Sequence, residues 1–185
     1  MKAIVKISLV LLAAMTIASC GKKKQDENII STKALEAQKP SPVQQMQESK
    51  IHNTFKWQGA DFTYDIHRIA DKSLPVMKQD DGSRYYDNHI DLMIKRGGAD
   101  FFSKTFTKST FESYIDEQFK DHGILEGLVF DRTDGGNILF AASVSFPMTD
   151  EYIPLIVKIS SSGTMSIERD SNLDTSKKAE DGEEE

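Results

Sequence analysis

The chain has 185 residues, a formal net charge of −6 and a single cysteine, with 38% hydrophobic and 28% charged residues. That length suffices for one domain with a real core and hardly for two. Acidic surface is repelled by phosphate, and no basic stripe interleaved with aromatics offsets it, so nucleic acid is excluded as a partner.

The first twenty residues carry an address. Lys2 and Lys6 form a charged start, Ile7 to Ile17 an apolar stretch too short to span a bilayer as a mature helix, and Ala18 and Ser19 the small residues a signal peptidase needs. Ile17-Ala18-Ser19-Cys20 resembles a bacterial lipobox, the signal of the bacterial lipoproteins. The resemblance implies a signal peptide over residues 1–19, cleavage between Ser19 and Cys20, and a diacylglyceryl group on the Cys20 thiol. Two or three acyl chains would hold the protein to a membrane almost permanently, where a single chain would be marginal. Gly21 and Lys22 show no acidic retention signal of the enterobacterial kind, which implies the outer membrane and leaves its periplasmic or surface face open. The blander alternative is an ordinary signal peptide cut near a cysteine, or a buried free thiol; a lone thiol is an odd residue in an exported protein. The rest of the chain is similar in style to small Bacteroidota envelope lipoproteins of unknown function, a likeness that implies no activity.

Residues 20–50 read as a lipidated polar tether. Lys22, Lys23 and Lys24 open it, Pro40 and Pro42 interrupt any helix, and Gln44 to Ser49 offers too little apolar surface to bury. The three lysines serve either solubility or contact with anionic headgroups. A single domain is expected over 51–170. Phe62, Tyr64 and Ile66 alternate with Thr63, Asp65 and His67, as in a half-buried strand, and Ile90, Leu92 and Ile94 repeat the pattern within Tyr86 to Lys95. Asp80-Asp81-Gly82-Ser83 supplies a turn between them, Gly97-Gly98 a second, and Phe101 to Thr107 a third strand.

Ser109-Thr110-Phe111-Glu112 matches a capping box and predicts one helix from Ser109 to about Asp121, terminated by Gly123. Its stripe of Phe111, Ile115 and Phe119, with Tyr114 beside it, is expected to cover a sheet face. A meander follows over Ile124 to Asp131, Ile138 to Phe146, Tyr152 to Ser160 and Thr164 to Arg169. The middle two are apolar on both faces and are expected centrally, one face under the helix and the other against the first strands. Residues 171–185 form a polar, acidic tail. The fold class is therefore α+β or mainly β: an antiparallel meander of six to seven strands with one amphipathic helix packed on it.

Chemistry is less legible. His52, His67, His89 and His122 form no H-E-x-x-H motif and no i,i+4 pair, and although His67 and His89 could meet on one sheet face, separate surface histidines are the simpler reading. Asp131, Asp134 and Asn137 have calcium-like oxygens without EF-hand spacing, which a hairpin turn explains. The paired glycines at 97 and 135 lack phosphate-loop and dinucleotide-binding spacing, there is no G-x-S-x-G elbow, and Asp116 and Glu117 point to different sides of a helix. No catalytic, metal or cofactor residue is assigned. Trp57, Tyr85 and Tyr86 are the speculative ligand contacts; packing at the core or sheet edge competes with that role, as it does for Tyr64. These observations favour a non-catalytic binding or interaction module with an envelope protein or glycan as partner. An envelope hydrolase whose site joins distant residues, and a purely structural lipoprotein, are the alternatives. Oligomeric state is not legible.

Overall fold

Gln58 and Gly59 both take positive φ, 48° and 72°, the two-residue turn whose twist matches paired strands, and they fold β1 (Ser49–Trp57) onto β2 (Ala60–Ala70). Gly97 and Gly98, at 56° and 87°, do the same for β5 (Asn88–Arg96) and β6 (Ala99–Phe106). These hairpins belong to a computed structural model that describes residues 42–171. Ser19, Cys20, the tether up to residue 41 and the tail from residue 172 lie outside the described residues.

The two hairpins join side by side in a four-stranded antiparallel sheet, β1-β2-β5-β6. A second four-stranded sheet runs β10-β9-β8-β7, built from β7 (Ile124–Asp134), β8 (Asn137–Ser145), β9 (Tyr152–Ser160) and β10 (Met165–Arg169). A short ribbon, β3 (Val76–Lys78) with β4 (Arg84–Tyr86), lies between β2 and β5 in sequence. The protein is thus mainly β and antiparallel. The described residues form ten strands in three sheets rather than six or seven in one meander, because β1 is concealed in polar sequence and three-residue strands leave no readable period.

Alternation placed the core correctly. Phe62, Tyr64 and Ile66 of β2, with Ile90, Leu92 and Ile94 of β5, are buried and meet the inward face of the second sheet, Ile138, Phe140, Ala142 and Val144 of β8 with Ile153, Leu155, Val157 and Ile159 of β9, in one cluster. Tyr64 stacks on Phe130 at 5.4 Å and meets the edge of Phe140 at 5.8 Å, linking the two sheets. Opposite Ile94 and Lys95 a bulge leaves Phe101 as the extra residue of β6, and its ring packs 5.3 Å from Phe62.

The helix departs from expectation. A 3-10 helix, Lys108–Tyr114, is followed by Ile115 in extended backbone, and only then by a six-residue helix α1, Glu117–His122. The predicted stripe is buried, Phe111 at 0%, Ile115 at 6% and Phe119 at 2% exposure. Asp116 is drawn aside to pair with Arg169 of β10 at 2.7 Å, a tertiary partner that a continuous helix would have to forgo. The Ser109/Glu112 capping box is not formed. Thr107 takes the position instead, its N–H bonding Thr110 Oγ1 at 3.1 Å and its carbonyl accepting the Thr110 N–H at 2.9 Å. Phe119 stacks on Phe146 at 4.2 Å, directly after β8 and on the side of the second sheet that also meets the first sheet. The expectation that β8 and β9 hold helix and first strands on opposite faces is therefore corrected: both share the inward face.

Gly123 ends α1 for a reason other than chain reversal. Its φ is −74°, but a Cβ there would lie 2.6 Å from the Phe119 carbonyl oxygen and 3.0 Å from Val144. The fold also reaches further toward the N-terminus than the tether reading allowed. Ser49 and Lys50 open β1, Gln44 bonds Arg84 and Tyr86 through its backbone at 2.8 and 2.9 Å, and Met46 packs on a second small cluster of Met77, Tyr85 and Ile124.

Candidate functional site

Asp87 and Asn88 occupy the corner where β4 passes into β5. Both are buried, at 3% and 0% exposure, which demands that their polar atoms find partners. Leu125 of β7 provides two of these: its N–H donates to Asp87 Oδ1 at 2.8 Å and its carbonyl accepts from Asn88 Nδ2 at 2.8 Å, while Asn88 Oδ1 is buried with no hydrogen-bond partner among the described residues. Two side chains here do the work of a strand partner and tie the first sheet to the second. Asp87 Oδ1 also accepts the Asn88 N–H at 2.8 Å.

Lys108 enters the same corner from the start of the 3-10 helix. Its ammonium donates to Lys120 O at 2.6 Å, to Gly123 O at 2.7 Å and to Met77 Sδ at 2.9 Å, and it lies 3.9 Å from Asp87 Oδ2. An ammonium has three N–H groups, so all its donors are spent, two of them on carbonyls at the end of α1. Burial raises the Asp87 carboxyl above its ordinary range, opposed by the Leu125 and Asn88 N–H groups and by Lys108. Burial likewise lowers Lys108, opposed by the charges of Asp87 and Asp121.

Two clefts flank this corner. The first, about 450 Å³, is walled by Leu74, Val76 and Met77 on one side and by Ser109, Glu112 and Ile115 on the other, with Asp87 and Lys108 at its base and Lys120 and Asp121 at its rim. The second, about 480 Å³, lies among the β3–β4 turn (Gln79, Asp80, Asp81, Ser83), α1 (Gln118, His122) and the β8–β9 turn (Phe146 to Thr149, Glu151), with Tyr85 also in its lining.

The family model for DUF4738, described as a domain of unknown function, matches residues 28–167. The chain belongs to the DUF4738 family. No curated protein matches it significantly.

Within this DUF4738 domain the predicted aromatic contacts are not brought together. Trp57 is 6% exposed, packed against Phe62 and Phe101 in the main core, so it closes the sheet end rather than offering a ligand surface. Tyr85 is in the second cluster, and Tyr86 is half-buried beneath the Lys72 ammonium at 5.7 Å. Tyr64 is core. The histidines lie apart: His52 donates to Asp65 at 2.7 Å, His67 to Glu48 at 2.6 Å, His89 to Asp71 at 3.0 Å, and His122 to the Lys78 carbonyl at 2.6 Å. His67 and His89 do face the same side of the first sheet, each with its own carboxylate. Among the described residues no three ligating side chains gather closely enough to hold a metal ion. Asp134 accepts from Asn137 across the predicted turn at 3.1 Å, and Asp116 and Glu117 go to Arg169 and Lys120.

Asp87, Asn88 and Lys108 escaped the sequence reading. Alternation put Asp87 on the solvent side of one long strand, and the only hint was the pair Asp-Asn, both poor strand formers, where that strand in fact divides in two.

Proposed function

We propose that this protein is a lipid-anchored envelope lipoprotein, held through Cys20 to the outer membrane, whose β-rich body is a non-catalytic binding module. The lipobox supports the anchor. Lys108 is the observation that carries the non-catalytic reading: the buried amine at the base of a cleft would be the natural nucleophile or base, yet its three N–H groups are committed to Lys120, Gly123 and Met77. What the first cleft offers a partner is apolar wall from Leu74, Val76, Met77 and Ile115 beneath a charged rim, the composition of a recognition site.

One observation favours the hydrolase alternative: Glu112 and Asp121 both line this cleft, as the acid pair of a glycan hydrolase would. Two measurements separate these readings. Intact mass of the mature chain should show acyl mass on residue 20 and none in Cys20→Ala; a wild-type chain without it defeats the anchor. The full chain in detergent, incubated with envelope glycans and proteins, should retain a component that Val76→Trp loses while melting like wild type. Glycan cleavage abolished by Glu112→Gln would favour the hydrolase instead.

A further inference from the structure

The outer strands of the two large sheets are not equally guarded against further pairing. β6 carries the bulge at Phe101 and turns Lys104 to the inward side, opposite Leu92. β7 has two irregularities in its register, and β10 is only five residues long. Such devices keep a sheet edge from accepting another strand. β1 has none of them: its nine residues pair with β2 in unbroken register from Ser49 to Trp57, without proline, and among the described residues no strand pairs with its other side.

Pairing fixes which backbone groups that free side presents. Trp57 and Ala60 close the two-residue turn and so exchange both of their backbone hydrogen bonds; by alternation Phe55, Asn53, Ile51 and Ser49 also face β2. Lys50, His52, Thr54 and Lys56 therefore direct their N–H and C=O groups away from it, and the Thr54 N–H is met there by the Asn53 side-chain oxygen at 2.8 Å. The side chains of Glu48, Lys50, His52 and Lys56 stand on the outer face, 51% to 83% exposed. On the inward side Ile51 and Phe55 are half-buried and Asn53 is exposed, so the second sheet stops short of this edge and leaves room for a strand beside it.

We propose that β1 pairs antiparallel with β1 of a second copy of this chain, about a two-fold axis at His52, joining two four-stranded sheets into one of eight strands. Two lysines on one edge ordinarily keep copies apart, and the charges here select the register. Among the pairings that set the outward backbone groups against one another, centring on Asn53 puts Lys50 opposite Lys56 of the other copy. Centring on His52 instead puts each Glu48 opposite Lys56 and each Lys50 opposite Thr54, so that opposite charges meet at both ends and no two lysines do. The same register brings Ile51 of each copy across from the exposed Asn53 of the other. Neither cleft is lined by β1, so the dimer and the binding-module reading stand or fall separately.

The test is disulfide trapping of the full chain in detergent, with Lys50→Cys, His52→Cys and Thr54→Cys as three separate variants and wild type, whose one cysteine is Cys20, as background. At the two-fold axis the paired Cα atoms lie about 5.5 Å apart, within reach of a disulfide, while Lys50 and Thr54 each lie about 13 Å from their own copies. Mild oxidation should therefore give a covalent dimer from His52→Cys and little above background from the other two. In the His52→Cys chain, Lys56→Glu should lower dimer formation about tenfold by setting two pairs of like charges face to face, and adding Glu48→Lys should restore it. No dimer from His52→Cys, equal yields at all three positions, or a double reversal that does not recover the yield overturns the proposal.

Discussion

The outer face of the first sheet and the corner where Asp87 meets Lys108 use the same chemistry to opposite effect. On the sheet face, His52 with Asp65, Lys56 with Asp61 and His67 with Glu48 are paired at 2.5 to 2.7 Å, and most of these side chains stand half or more in water. At the corner, Asp87 and Lys108 are 3.9 Å apart, a worse pair by distance, with side chains only 4% and 13% exposed. Water and salt screen the first set, so each contributes at most about 1 kcal/mol. The buried pair is far less open to water, and its atoms are spent on the backbone of Leu125, Lys120 and Gly123. Close ion pairing is therefore a poor guide to importance in this molecule; what the charged atoms hold is the better one.

The comparison breaks most visibly at Lys108. Lys108→Met should cost about 3–5 kcal/mol in urea unfolding, because it leaves Asp87 buried without its cation and two α1 carbonyls without donors. A loss no larger than that of a sheet-face variant would place the corner in the same class as the surface. Next in size, Gly123→Ala should cost about 1–3 kcal/mol, since the new methyl meets the Phe119 carbonyl and Val144; a melt matching wild type would mean that α1 shifts without penalty. The smallest effect is a pH dependence. The folded-state pKa of Asp87 is raised above its ordinary 3.8, so between those two values the folded protein holds a proton that the unfolded chain has released. Its contribution to stability therefore falls as pH rises through that window and recovers on acidification. Comparing wild type with Asp87→Asn from about pH 7 down to about pH 4 should show wild type gaining on the variant, while the lowered carboxyls of Glu48, Asp71 and Asp81 act equally in both. A constant difference would mean that the Asp87 carboxyl is not raised.

Much of the core could be read from the sequence because it follows a period. Phe62, Tyr64 and Ile66, or Ile90, Leu92 and Ile94, repeat every second residue, and a one-residue slip would expose each set. The helical stripe was legible for the same reason, and all three of its residues are buried. Its backbone was not, since the break at Ile115 answers to Arg169, more than fifty residues away in the chain. The site was the least legible part. Lys108, Asp87 and Leu125 come from three separate segments, and the one local signal among them is the strand-breaking pair Asp87-Asn88. Of the three aromatic residues proposed as ligand contacts, Tyr85 lines a cleft, whereas Trp57 went to the core, as large rings at a sheet end do.

The most direct measurement is a matched pair of double-mutant cycles on unfolding free energy, one on Asp87 and Lys108 through Asp87→Asn and Lys108→Met, the other on His52 and Asp65 through His52→Ala and Asp65→Asn. The corner should show coupling of about 1.5–3 kcal/mol despite its longer distance, and the sheet face no more than about 0.5 kcal/mol. Coupling that followed distance instead, larger for His52 with Asp65 than for Asp87 with Lys108, would contradict the claim that burial and what the charged atoms hold, not closeness, set the worth of an ion pair in this molecule.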